Sequence, residues 1–343
     1  MARVHTCIMM TRCLIAIAFL ISLSIVSPAR AQGGLSLPAG FHAGIYAEGL
    51  SGPTAIAFGP DERLYVAQEN GAVRRIAPNG IATVASGFNS PLGLAWHNRK
   101  LYVSFRGGIA VLTPSQGYGK FTTKVIVSGL PVGRHQNDGL AFRGGWMYVG
   151  VGSTCNACVE GDPRSATIMR FHLDGSYGQI FARGLRNPYG LAIYKGKLYA
   201  TDNGRDDFGD SVPDELNLIV RGGNYGWPNC WGRGGGSGCA GTRYPVANLP
   251  PHASADGLAF YTGRSFPARY RGDAFIAEYG DTINSLGTGH VVQVVHFSGG
   301  RGTVSTFASG FSNPLAVTVS KGGALLVADF GTGIIWHIQR NGY

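Results

Sequence analysis

One alternation of apolar and polar positions returns along this chain. A small or turn residue opens each copy, an alternating apolar strand follows, then a polar turn, then a second strand ending near Leu-Tyr-Val. The pattern reads GPTAIAFGPDERLYVAQ at 52–68, SPLGLAWHNRKLYVSF at 90–105, NDGLAFRGGWMYVGVG at 137–152 and NPYGLAIYKGKLYATDNG at 187–204. A stretched copy pairs ADGLAFYTG at 255–263 with DAFIAEYG at 273–280, and the last is NPLAVTVSKGGALLVADFG at 313–331. Most copies are followed by a third alternating run, such as AVRRIAP at 72–78, TIMRFHLDG at 167–175 and HVVQVVHFSG at 290–299. A side-chain period of two is that of a half-buried strand, so each copy predicts two or three strands with turns between them.

The six copies divide the chain into units of roughly 50 residues, the scale of one blade of a β-propeller. A single small sheet cannot bury its own faces, so neighbouring copies must cover one another. A β-sandwich or β-helix would share the alternation, but not six copies of three or four strands. The fold expected is therefore all-β, a six-bladed β-propeller, with residues 32–343 as a single domain. The longest interruption lies between 202 and 254, and long insertions mark the working face of a propeller.

Composition agrees. Gly accounts for 54 of 343 residues, against helices because each interior Gly costs about 1 kcal/mol relative to Ala. Aromatics at 11% provide for a packed core and argue against disorder. Residues 1–31 stand apart and read as a secretory signal peptide. They carry Arg3 and Arg12, then the apolar run CLIAIAFLISLSIV at 13–26, then Ala29-Arg30-Ala31 as a small-x-small cleavage site. That run is short of the ~20 residues a membrane span requires. A periplasmic or secreted protein without membrane insertion is expected. The formal charge of +10 falls to about +7 without the three leader arginines, and no Lys/Arg cluster suggests nucleic acid.

Cleavage would leave Cys155, Cys158, Cys230 and Cys239. An even number in an oxidising compartment favours disulfides, the nearest pairings being Cys155–Cys158 and Cys230–Cys239. The C-x-x-C spacing of the first pair lacks the following His of a haem attachment site and a second C-x-x-C for zinc. A redox or metal role is the alternative to a structural bridge.

Chemistry concentrates at strand entries. His135 precedes one inner strand, Arg186-Asn187 the next, and His252 and Asp256 flank the one after. Equivalent positions of a rotational repeat converge on one channel mouth, where His, Arg and Asn supply a base and charge stabilisation. Taken singly, such a His is more often a turn cap. Asp202, Asp206, Asp207, Asp210, Asp214 and Glu215 form a second, acidic group in a Gly-rich loop. Oxygen-rich loops of this kind take Ca²⁺, although a solvated acidic loop has the same composition, and the spacing is not that of an EF-hand. No G-x-S-x-G elbow, Walker loop, H-E-x-x-H or Rossmann context is present.

These phrases carry a resemblance. HQNDGLAF, VGSTCNACVEGDPRSATI, GLRNPYGLA, DNGRD, DELNLI, GGNYGWPNC, PARYRGDAFIAE and the closing GGALLVADFGTGIIWHI resemble the soluble quinoprotein sugar dehydrogenases of the glucose/sorbosone dehydrogenase type. The resemblance runs over essentially the whole chain after residue 31. It implies a six-bladed propeller that binds pyrroloquinoline quinone (PQQ) with Ca²⁺ and oxidises aldose sugars or related alcohols, passing electrons to a separate acceptor. By position, His135 corresponds to the general base, and Arg186 and Asn187 to the groups at the quinone oxygens. Gly204 and Arg205 correspond to backbone ligands of the cofactor's Ca²⁺, and Glu215 and Tyr225 to a second Ca²⁺ site. The sequence departs from the family at EYGDTINSLGTGH (278–290) and at Asn313, where cationic anchors for the three PQQ carboxylates are expected. Arg134, Arg143, His290 and Lys321 are the candidate replacements. A non-catalytic ligand- or protein-binding propeller, and a Ca²⁺-dependent lactonase or hydrolase, are the alternatives.

Overall fold

The computed structural model describes Met1 and residues 34–283 and 286–342. The expected leader, 1–31, thus lies outside the described residues apart from Met1. The described chain forms six four-stranded antiparallel sheets, as the repeat count predicts. The first blade comprises Pro53–Phe58, Leu64–Gln68, Val73–Ala77 and Gly80–Ala85. The second comprises Gly93–His97, Lys100–Phe105, Gly108–Ser115 and Lys120–Ser128. The third contains Asn137–Arg143, Trp146–Val151, Thr167–His172 and Gln179–Arg183, and the fourth Leu191–Tyr194, Lys197–Asp202, Pro213–Ile219 and Ala247–Pro251. The fifth is Ala255–Phe260, Ala274–Glu278, Val291–Ser298 and Arg301–Ser309.

The sixth blade takes only three strands, Pro314–Val319, Leu325–Asp329 and Ile334–Arg340, from its own repeat. Its outer strand is Phe41–Ala47, which pairs antiparallel with Ile334–Arg340 in the register Phe41↔Arg340 and Ala43↔Ile338. The N-terminal segment thus closes the ring, a step the repeat analysis does not anticipate. Nor does it find the outer strand of each blade. The reason is burial: the outer strand Lys120–Ser128 has one buried residue among nine, whereas the second strand Leu64–Gln68 is buried throughout. An outer strand borders solvent on its free edge and carries little hydrophobic signal.

Six apolar clusters hold the blades, one at each junction. Tyr65 and Val73 of the first blade pack with Leu101 and Leu112 of the second. Tyr102 and Ile109 meet Met147 and Val149, and Tyr148 meets Leu198 at the next junction. The last two junctions are built from Tyr261, Phe275, Val327 and Trp336, and from Leu64, Val66, Leu326 and Ile335. Each fully buried Leu or Phe contributes about 1.5–3 kcal/mol, spread evenly round the ring.

Toward the axis the inner strands approach backbone to backbone. A methyl group added at Gly190 would lie 2.2 Å from the carbonyl of Asp256, and one at Gly93 2.2 Å from that of Asp138. The GLA phrase of the repeat therefore encodes close packing of neighbouring inner strands, not a turn. The residues just before these glycines, Leu92, Tyr189 and Asp256 among them, reach the channel mouth.

Candidate active site

First strands of the blades begin, and second strands end, at one face of the ring. There they enclose a cavity of about 300 Å³. His135, Arg186, Asn187, Gly204, His252 and Asp256 all line it, so the convergence expected from the repeat holds in three dimensions. Leu92, Leu315 and Phe330, from the second and sixth blades, supply the apolar wall.

His135 is held from behind. Its Nδ1 lies 3.0 Å from Ser153 Oγ and 3.2 Å from the Ser153 carbonyl. The Ser153 hydroxyl donates to the Cys155 carbonyl at 2.6 Å. A carbonyl only accepts and that hydroxyl has spent its proton, so Nδ1 must carry the hydrogen. Nε2 is left as the lone-pair nitrogen of a ring that lines the cavity. Burial, reinforced by the charges of Arg186 and Arg134, lowers the His135 pKa to about 3, so the ring is neutral at ordinary pH.

Arg186 is 4% exposed. Its guanidinium donates to the Asn156 carbonyl at 3.2 Å, to Asn156 Oδ1 at 3.0 Å and to Asp206 Oδ1 at 2.8 Å. Burial lowers its pKa, opposed by the Asp206 carboxylate. The backbone N–H groups of Arg186 and Asn187 both donate to the buried Asp202, at 3.2 and 2.7 Å. Asn187 Nδ2 donates to Asn203 Oδ1 at 2.8 Å, while its own Oδ1 is buried with no partner among the described residues. The Tyr189 hydroxyl is orphaned in the same way. Orphaned buried polar atoms are rare in folded proteins, and here two occur on residues that line one cavity.

The acidic loop does not gather into one cluster. Asp202 caps the Arg186–Asn187 turn, and Asp214 accepts the N–H of Gly204 at 2.8 Å and of Ala255 at 2.9 Å. Asp206 bridges Arg186 and Arg134, Asp207 takes both arms of Arg205, and Asp210 is exposed. Burial pushes Asp214 up to about 6. Asp206, Asp214, Asp256 and Asp281 all line the cavity, so the mouth is more acidic than the sequence reading of mainly His, Arg and Asn. Asp256 comes from a repeat position, whereas Asp206 and Asp214 arrive from the insertion and Asp281 from a loop that no repeat position marks.

Gly204 lines both the main cavity and a second, of about 20 Å³, shared with Arg205, Glu215 and Tyr225. A void of this size holds about one water or ion. Its chemistry suits a hard cation. Glu215 is buried, accepting from Gly232 N at 2.6 Å and Asn217 Nδ2 at 2.8 Å, and burial pushes its pKa up to about 7. The Tyr225 hydroxyl is spent on the Leu218 carbonyl and Val220 N–H, leaving its carbonyl for a cation. The Arg205 side chain is occupied by Asp207 and the Pro228 carbonyl, so it too would ligate through its backbone. The orphaned oxygens, the carbonyl edge at 204–205 and the cationic Arg186 fit a planar quinone with a divalent cation.

Of the four candidate replacement cations only Arg134 lines the cavity. Arg143 bonds the Gly196 carbonyl and Tyr148 at the other end of its strand, and Lys321 pairs with Glu62 in an exposed turn. His290 is tied to the Ser312 carbonyl. Asn313 donates to the Tyr279 carbonyl at 3.1 Å. Both expected disulfides are present, Cys155–Cys158 and Cys230–Cys239. With its sulfurs joined, the first pair offers no thiolate to a metal. Sequence reasoning misses Ser153 and Asn156, although the phrase GSTCNAC follows directly on a strand end that faces the mouth.

Residues 133–294 match the family model "Glucose / Sorbosone dehydrogenase". Quinoprotein glucose dehydrogenase B of Acinetobacter calcoaceticus is 40% identical over 92 residues, 23% of this chain and 18% of that one. Aldose sugar dehydrogenase of Escherichia coli is 31% identical over 105 residues, 27% of each chain. The matched stretches thus span under a third of these two relatives. The PQQ-bound aldose sugar dehydrogenase of Streptomyces coelicolor superimposes with a TM-score of 0.67 at 22% identity, over 89% of this chain and 99% of that one. That likeness shows a shared propeller fold.

Proposed function

We propose that this chain, an oxidoreductase of the glucose/sorbosone dehydrogenase type over its third to fifth blades, is a PQQ- and Ca²⁺-dependent dehydrogenase of aldose sugars or related alcohols. The observation that carries the reading is the neutral His135, presenting its lone-pair Nε2 to the cavity that Arg186 and Asn187 also line. When bound, PQQ would supply the hydride acceptor, and the Gly204 and Arg205 carbonyls would hold the Ca²⁺ that polarises it. His135 Nε2 takes the proton of the sugar hydroxyl as the C–H bond yields its hydride. The imidazolium so formed is the reaction's only new charge on the protein, and Ser153 keeps it oriented through Nδ1. Arg186 offers positive charge where oxygen becomes anionic, and its burial makes that charge worth more than in water. Leu92, Leu315 and Phe330 give the site an apolar wall. Glu215, with the Tyr225 carbonyl, would hold a second, structural Ca²⁺.

Export to the periplasm or medium is supported by the leader-like 1–31 segment and the two disulfides. Among the described residues no helix is long and apolar enough to cross a membrane. Electrons would leave to a separate carrier.

The four cavity aspartates favour a second reading, a Ca²⁺-dependent lactonase or hydrolase. Against it, Asp206 and Asp214 are already engaged by Arg186 and by backbone N–H groups. The test is reconstitution with PQQ and Ca²⁺, followed by absorbance and by dye reduction across a panel of aldoses. Saturable binding near one PQQ per chain with sugar-dependent reduction is expected, and Arg186→Ala should abolish tight binding. No spectral shift and no dye reduction would sink the proposal, and lactone hydrolysis by the same protein would replace it.

A further inference from the structure

The Cys155–Cys158 bridge closes a loop of two intervening residues, and that loop touches both halves of the site. The Cys155 carbonyl accepts a hydrogen bond from the Ser153 hydroxyl at 2.6 Å, leaving Ser153 Oγ to accept from His135 Nδ1. Asn156 meets Arg186 twice, through its carbonyl at 3.2 Å and its Oδ1 at 3.0 Å. The same Oδ1 accepts the Asp206 N–H at 2.9 Å, and the carbonyl accepts Trp227 Nε1 at 3.1 Å. The loop is braced on its far side: Glu160 accepts from Thr154 N at 2.7 Å and from Thr154 Oγ1 at 2.6 Å. The Arg134 N–H in turn donates to the Thr154 carbonyl at 2.9 Å. His135, at the entry to the third blade, and Arg186, at the entry to the fourth, are thereby both tied to a single four-residue ring.

From this geometry we infer that the disulfide loop is the positioning element of the site. Asn156 aims the Arg186 guanidinium, and the Cys155 carbonyl, acting through Ser153, fixes the tautomer of His135. The inference deepens the dehydrogenase reading and rests on it for its kinetic consequence, although the tautomer and the guanidinium geometry are properties of the protein alone. A local bridge does this better than side-chain packing. It holds two consecutive carbonyls, at 155 and 156, in fixed directions, where an open Gly- and Ser-rich loop would sample many. Catalytic geometry has little tolerance, since a misplacement of about 1 Å costs on the order of 100-fold in rate.

The test pairs the double variant Cys155→Ser/Cys158→Ser with Asn156→Leu and Asn156→Asp. In protein without PQQ, imidazole ¹⁵N shifts report the His135 tautomer and guanidinium ¹⁵N shifts report Arg186. Wild type should show a single Nδ1–H tautomer; the double variant should show a mixture and an altered Arg186 signal. Asn156→Leu should move Arg186 alone, whereas Asn156→Asp, which keeps the acceptor, should restore it. In PQQ- and Ca²⁺-loaded enzyme, kcat should fall about 10- to 100-fold in the double and Leu variants, with recovery in Asn156→Asp. If both ¹⁵N signatures stay at wild-type values while only the melting temperature falls, the loop is merely structural and the inference is overturned. If the shifts change as stated but no variant, wild type included, oxidises sugar, the dehydrogenase reading fails and the positioning role stands.

Discussion

The two halves of the ring are built from different material. Among the described residues, the first, second and sixth blades bury Thr54, Gln68, Ser104 and Asp329 as their polar side chains. The third to fifth blades bury nineteen, including Asp138, Arg186, Asn187, Asp202, Asp214, Glu215, Asp256 and Glu278. Packing does not explain this, because the apolar junctions run evenly round all six blades. A buried carboxyl is costly unless bonded or protonated, and the polar half carries several, with Asp138, Asp202 and Asp256 pushed well above the usual carboxylate range by burial. All six junctions hold the ring together, and the polar half in addition gives up stability to assemble a site. The polar half is also the half that matches the sugar dehydrogenase family, since 133–294 begins and ends within it.

Three substitutions sharpen this contrast. His135→Ala, in the polar half, should lower turnover with sugar about 10²- to 10⁴-fold, with the PQQ titration and melting curve nearly unchanged. A drop in turnover below tenfold would remove His135 as the base. The wild-type pH–rate profile should also show no step near 6.5. The His135 pKa is lowered to about 3, so the group is neutral throughout ordinary pH. Its contribution to stability is full above 6.5 and is lost as pH falls toward 3, where unfolding lets it take up a proton.

Leu101→Ala, in the apolar half, should cost about 2–5 kcal/mol of stability by chemical denaturation, since Leu101 is fully buried at a blade junction. PQQ affinity of the folded fraction should be unchanged. A matching loss of affinity would show that the halves are coupled and would break the comparison.

The smallest effect is expected from Glu278→Gln. Burial raises the Glu278 pKa to about 8, against the bond from Gln293 Nε2 at 3.0 Å, and Glu278 Oε1 has no hydrogen-bond partner among the described residues. The folded protein therefore keeps a proton that the unfolded chain releases near 4.5. This contribution is full below 4.5 and declines as pH rises to about 8. Glutamine cannot titrate, so stability measured from pH 5 to 8 should fall less steeply in the variant. An unchanged slope would mean that Glu278 is ionised in the fold.

Much of the architecture is legible in the chain because it repeats. Six copies of one two-strand phrase determine the blade number, whereas only the structure shows that the GLA glycines are where inner strands meet. The outer strands are not legible, because Lys120–Ser128 and its counterparts face solvent and have weak apolar alternation. Nor is closure, because Phe41–Ala47 pairs with a strand almost 300 residues away. The site divides in the same manner. His135, Arg186 and Asn187 stand at equivalent repeat positions and can be placed on one mouth from sequence. Asp206, Asn156 and Ser153 sit in loops, where position along the chain says nothing of direction in space. The replacement cations show the limit most plainly: four were available by residue type, and only Arg134 faces the cavity.

The sequence by itself determined the strand period, the six-fold repeat and a set of residues aimed at one face, and favoured the local disulfide pairings. These follow from local spacing, which survives without knowledge of the fold. Only the tertiary structure decided that the N-terminal strand closes the ring and that the mouth is acidic. It alone tied a four-residue disulfide ring to both His135 and Arg186. Each of these depends on which distant groups share a few ångströms, and hydrogen bonds and ion pairs act only over that range.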